Sequence, residues 1–203
     1  MGRLAEARQE VEVIHRISPG FTGSMCEQLG HEREFERARE EALPEARRSP
    51  DLRWVFYWGP LNVFTERFQE AIAALEKTRK WSDDPVYIAY LGYCQARLGK
   101  RPEALETLVE LRNLSKWVYI HPYSLALVHA GLGETDQAFA YLNQACDEHS
   151  PMLVEGGICG LLFEPCWDEM RVDPRFAKLL DRIGLPPAAK ELALRKRTPS
   201  GAR

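Results

Sequence analysis

Four residues toward the C-terminal end have the chemistry of metal ligands. Cys146 and His149 form a C-x-x-H pair, and Cys159 and Cys166 follow. Two or three thiolates with an imidazole suit tetrahedral zinc. The spacing matches no standard closed site, however. Cys146 also stands beside Ala145, where a helix wants a small apolar residue, and free cysteine fills that role. No metal ligand and no cofactor is expected. A cysteine nucleophile would need a histidine and an orienting group. His121 and His129 lie eight residues apart, about two turns along one helix, but nothing in the sequence links either to a cysteine. His129 is read as packed and hydrogen-bonded. The run Glu155-Gly-Gly-Ile-Cys-Gly160 lacks the Lys-Ser/Thr and the preceding strand of a phosphate loop. There is no Gly-x-Ser-x-Gly. No catalytic residue is expected, and the chain reads as a non-enzyme.

The elements that carry these residues are set by a period of 33 to 34 residues. Ala71, Ala104 and Ala138 follow it, each with a leucine four residues later: Leu75, Leu108 and Leu142. Trp58-Gly59, Leu91-Gly92 and Leu125-Ala126 keep the same period in a second register. Such a period means stacked helical hairpins. Val86 to Leu98 is the first helix of one unit and Arg101 to Leu114 its second. Gly99 stands where the chain must reverse in a left-handed conformation. Pro102 falls in the next helix's first turn, where its missing N–H costs nothing. Pro122 to Leu132, Gly133, then Glu134 to Cys146 repeat the pattern. Pro60 is expected to kink or break its helix.

These residues resemble the tetratricopeptide repeat family over about four fifths of the chain. The units are a half repeat at 2–19, a degenerate unit at 20–50, then 51–85, 86–118 and 119–150. In the degenerate unit Phe35 replaces the small alanine, and in the next Glu66 replaces the turn glycine. The stretch Tyr119 to Gly133, with Asp173-Pro-Arg-Phe176 and Arg182-Ile-Gly-Leu-Pro186, resembles the C-terminal repeat region of bacterial multidomain regulators. The resemblance implies an all-α, right-handed superhelix and an interaction scaffold that binds a protein or peptide. A second reading is a regulatory repeat domain of a bacterial kinase, cyclase or transcription regulator. A third, a metal- or ligand-sensing repeat protein, rests on the cysteine-rich stretch at 155–170.

In a curved stack the first helices line the concave side. The family's clamp of cations on a peptide carboxylate is absent, since Arg53 is the single cation at the groove positions. Phe56, Tyr93, Tyr123 and Leu127, with Tyr90 adjacent, make that face aromatic and apolar. Two readings follow: a groove for an apolar peptide or helix, since such rings dominate binding hot spots, or rings packed between hairpins.

The remaining chain sets the boundaries. At 203 residues, 45% hydrophobic and net charge −3, it suits one extended domain and argues against bulk nucleic-acid binding. No apolar run reaches the roughly 20 residues that span a bilayer. Five scattered cysteines read as reduced thiols, and the expected compartment is the cytoplasm. Glu34/Arg37 and Glu36/Arg39 are expected as i,i+3 pairs on a solvated helix. Residues 151–188 are expected to cap the last hairpin, with Ile158, Leu161, Leu162, Phe163 and Trp167 folded over its edge and a helix from Pro174 to Ile183, ended by Gly184, completing the cap. Residues 189–203 are read as a basic tail, in which Lys190 to Leu194 can continue a helix and Arg195 to Arg203 are expected to be disordered. Leu4, Val11 and Ile14, on an N-terminal helix lacking its partner, are candidate interface residues for a homodimer or partner.

Overall fold

Three turns recur at the repeat spacing. Glu66, Gly99 and Gly133 each take a left-handed backbone, at φ 60°, 75° and 73°. Each closes its helix with the same two bonds. The turn residue donates three residues back (Glu66 to Val63, Gly99 to Ala96, Gly133 to Ala130), and the next residue five back (Arg67 to Asn62, Lys100 to Gln95, Glu134 to His129). This Schellman arrangement satisfies the carbonyls a helix end leaves open. Glycine takes it without a Cβ penalty, and Glu66 takes it because the hairpin around it dictates the turn.

A computed structural model describes residues 34–48, 52–154 and 160–194, with Gln9 and Val13 besides; the side chains of 45–48, 52–57, 188 and 192 are outside that description. The helices are α1 (Phe35–Arg48), α2 (Leu52–Phe64), α3 (Phe68–Thr78), α4 (Pro85–Arg97), α5 (Arg101–Leu114), α6 (Pro122–Gly131), α7 (Thr135–Asp147), α8 (Pro174–Ile183) and α9 (Pro187–Leu194). Two short 3₁₀ turns, Pro151–Leu153 and Pro165–Trp167, separate α7 from α8. No strand occurs among the described residues. No described helix is long and apolar enough to cross a membrane.

The pairs α2–α3, α4–α5 and α6–α7 pack as hairpins, and α4 also lies against α2, α3 and α6. Ala71, Ala104 and Ala138 are fully buried where the hairpin helices cross. Gly131 brings α6 onto α4: a Cβ there would meet the Tyr93 Cα at 3.0 Å and its carbonyl oxygen at 3.1 Å. Of the expected kink or break at Pro60, the break does not occur: the helix α2 continues through it. Pro60 is buried in the stack, and, two residues on, the Asn62 side-chain amide donates to the Trp58 carbonyl at 2.7 Å. Neighbouring helices thus hold the turn that proline weakens.

Charged residues on α1 do not all pair along their own helix. Arg37 bonds Glu34 at 3.3 Å as expected. Glu36 instead meets Arg67 at 2.8 Å, and Arg39 reaches Glu70 and the Asn62 side chain. The expected Glu36/Arg39 pair is therefore replaced by three contacts to the next hairpin. Arg79–Glu110 and Arg101–Glu134 join the later units in the same way. Exposed pairs of this kind fix register more than they stabilise. At the far end α8 packs on α7, tied by Arg175–Asp136 at 2.7 Å and Arg182–Asp147 at 2.5 Å.

Several expectations fall outside the described residues. They are the half repeat with Leu4, Val11 and Ile14, residues 20–33, the side chains of Arg53 and Phe56, Ile158, Cys159, and the tail from 195.

Candidate functional site

The first helices α2, α4 and α6 lie side by side, and the chain from Gly160 to Arg171 crosses all three. Its 3₁₀ turn touches α2 and α6, and Glu164 bonds α4. The segment turns at Gly160, whose carbonyl accepts from the N–H groups of Phe163 and Glu164. Pro165 then starts the 3₁₀ turn that aims Cys166 and Trp167 at the helices.

Two tyrosines receive it. The Tyr90 hydroxyl donates to Glu164 Oε1 at 2.8 Å, and the Gly160 N–H donates to the same oxygen at 2.5 Å. Glu164 is fully buried. Burial pushes its carboxyl up to about 7 from the ordinary 4.5, against the pull of the Gly160, Tyr90 and Tyr123 hydrogen bonds and the Arg171 charge. Its Oε2 has no hydrogen-bond partner among the described residues. Trp167 donates its indole N–H to the Tyr123 hydroxyl at 2.9 Å, and the rings meet edge to face with centroids 5.2 Å apart. Burial, and next the Glu164 charge, drive the Tyr123 phenol well above its ordinary value. Arg97 on α4 closes the far side on Glu169 at 2.5 Å.

Arg171 organises the segment from within. Its side chain is fully buried. It donates to the carbonyls of Leu161 (3.0 Å), Leu162 (3.2 Å) and Glu164 (3.1 Å), to Asp168 Oδ1 (2.8 Å), and to the carbonyl of Ala193 in α9. The planar guanidinium thus gathers backbone groups that the irregular segment would leave unpaired.

The expected groove residues are therefore not an open surface. Tyr90, Tyr123 and Leu127 are fully buried and Tyr93 is 6% exposed. The physical reason is the 160–171 segment, whose Trp167, Cys166 and Glu164 cover these rings. Within the expected cap, the 160–171 part lies across the first helices, that of the last hairpin included, while α8 packs on α7 of the last hairpin. A small cleft of about 120 Å³ remains where the segment meets α2 and α4, lined by Val63, Glu66, Tyr93, Arg97, Cys166 and Glu169 among others.

The other chemistry-bearing residues are dispersed. Cys166 is buried against Tyr93, and burial raises its thiol and that of Cys94 well above the ordinary range. Cys146 is partly buried on α7 and His149 is exposed at a left-handed turn. Among the described residues no three His, Cys, Asp or Glu side chains gather as metal ligands. His129 is buried, with Nδ1 at 2.6 Å from Glu134 and its ring stacked on Tyr141. Burial raises the Glu134 carboxyl, but hydrogen bonds from His129 and Arg101 outweigh it and hold the group below the ordinary range. His121 lies near Ser150, with Nδ1 3.2 Å from its hydroxyl.

Sequence reasoning missed Glu164 and Arg171. The signal was present: each charge stands among residues too apolar for a solvated loop, and a buried charge must be paired or neutralised. A scan against protein-family models, a comparison with curated proteins and a comparison with solved structures each find no match.

Proposed function

We propose that this chain is a non-catalytic interaction scaffold, a superhelix of tetratricopeptide type whose first-helix face takes a peptide segment. The observation that carries this reading is the 160–171 segment. It is irregular apart from one short turn, it crosses three first helices, and tyrosine hydroxyls and rings hold its side chains. A groove bound to a partner peptide would use the same groups in the same way. In this chain the groove is closed in cis. A partner must compete with a tethered occupant, whose effective concentration is in the millimolar range for short connections. The thiols and histidines support a non-catalytic reading. Burial keeps Cys94 and Cys166 protonated, so neither is an activated nucleophile. His129 is turned into the core and anchored by Glu134.

The test is site-specific photo-crosslinking in a native extract. A photoreactive phenylalanine is placed at Ala96 on α4, and a control is placed at the outward Leu105 on α5. The expected result is a foreign segment joined at 96 and not at 105. Capture at 96 of this chain's own residues alone, in every extract fraction, overturns the scaffold reading.

A further inference from the structure

Resting on that groove reading, we propose the class of partner: a peptide with a carboxylate side chain three residues ahead of an indole, joined by a proline turn. The chain's own occupant displays the complement. From Glu164 to Trp167 it reads Glu-Pro-Cys-Trp. The carboxylate receives the Tyr90 proton and the indole gives its proton to Tyr123. The two hydroxyls, on successive first helices, are used in opposite roles, Tyr90 as donor and Tyr123 as acceptor.

The occupant also docks as a unit. Arg171 ties its carbonyls at 161, 162 and 164 to one another and to α9, so its backbone polar groups are met internally. Its hydrogen bonds to the first helices run through side chains: Tyr90 to Glu164, Trp167 to Tyr123, and Arg97 to Glu169. Removing it would break no backbone ladder of the helices beneath. The proline fixes the backbone angle at the turn, so less conformational entropy is lost when the peptide binds.

The experiment uses the full chain and a fluorescein-labelled peptide with the sequence of residues 160–171, its cysteine replaced by serine. Binding is read by fluorescence anisotropy. The Trp167→Ala chain, its own indole removed, is expected to bind at least about tenfold tighter than wild type. Peptides with Ala for the glutamate, which leaves the Tyr90 hydroxyl unpaired, or Ala for the tryptophan, are expected to lose at least about tenfold against the same chain. Adding Tyr123→Phe to the chain keeps the ring and removes the acceptor. It is expected to weaken the parent peptide and leave the tryptophan-lacking peptide unchanged. If circular dichroism shows Trp167→Ala unfolded, the Glu164→Ala chain takes its place with the same expectations. Binding indifferent to both peptide substitutions overturns the carboxylate–indole pattern and leaves the groove standing. No binding to a folded variant, while crosslinking at Ala96 captures some other segment, also overturns the pattern alone. Neither binding nor capture overturns the groove reading with it.

Discussion

Replacing Glu164 with glutamine should change how stability depends on pH. The carboxyl is fully buried and titrates near 7 in the folded chain, against an ordinary 4.5. The folded state therefore holds this proton more tightly than the unfolded state does. Below about 4.5 the group is protonated in both states and imposes no cost. Between 4.5 and 7 the unfolded chain ionises first, so stability falls as pH rises. Above 7 the loss is complete. At about 1.4 kcal/mol per pH unit the full effect is roughly 3 kcal/mol. That is a large part of the 5–15 kcal/mol typical of a folded domain. Glutamine keeps a carbonyl acceptor for Tyr90 and Gly160 and cannot ionise.

The assay is urea unfolding at several pH values from 5 to 8 for both chains. Each other titrating group contributes to both curves, and the difference isolates Glu164. Relative to wild type, the Glu164→Gln chain should gain about 2–3 kcal/mol between pH 5 and pH 8. Parallel curves, within about 0.5 kcal/mol of extrapolation error, would refute the burial argument. They would mean that the carboxylate is solvated and that the segment does not seal the groove.

Three further outcomes follow from the packing. Trp167→Ala removes a fully buried ring and its bond to Tyr123, and should cost roughly 3–5 kcal/mol in denaturant unfolding. Gly131→Ala sets a methyl against the Tyr93 backbone, which cannot yield as a side-chain tip would; a loss of about 1–3 kcal/mol is expected in the same assay. Glu66→Gly relieves a left-handed non-glycine residue and should raise stability by roughly 0.5–1 kcal/mol, seen as a higher melting temperature.

The repeat was legible because its residues answer to local geometry. Gly99 and Gly133 announce the turns they make, and the alanines at 71, 104 and 138 announce the crossings they fill. The helices from 85 to 147 and from 174 to 183 start and stop within one residue of where prolines, glycines and spacing place them. Glu66 shows where local reasoning weakens: its type argues against the left-handed turn, and tertiary packing imposes it. Pro60 is the same case inside a helix. Tyr90, Tyr93 and Tyr123 stand on the first helices that the spacing predicts, but their burial could not be read. Spacing along α4 and α6 gives the face a ring occupies, and what covers that face comes from 40 to 75 residues further on.

That covering segment has no period, so no pattern predicts its path. What the sequence does carry is a mismatch of chemistry: Glu164 and Arg171 within a stretch that also holds Leu161, Leu162, Phe163 and Trp167. A solvated loop would not carry those apolar groups, and a plain apolar cap would not carry those charges. The structure resolves the mismatch by using the charges inside the fold. Arg171 replaces the hydrogen-bond ladder that an irregular backbone lacks, and Glu164 meets a tyrosine that an apolar partner would have left unpaired. Tyrosine, not phenylalanine, at 90 and 123 is the reciprocal of that choice. A hydroxyl on a buried ring demands a polar partner, and that demand ties the first helices to one occupant chemistry over another.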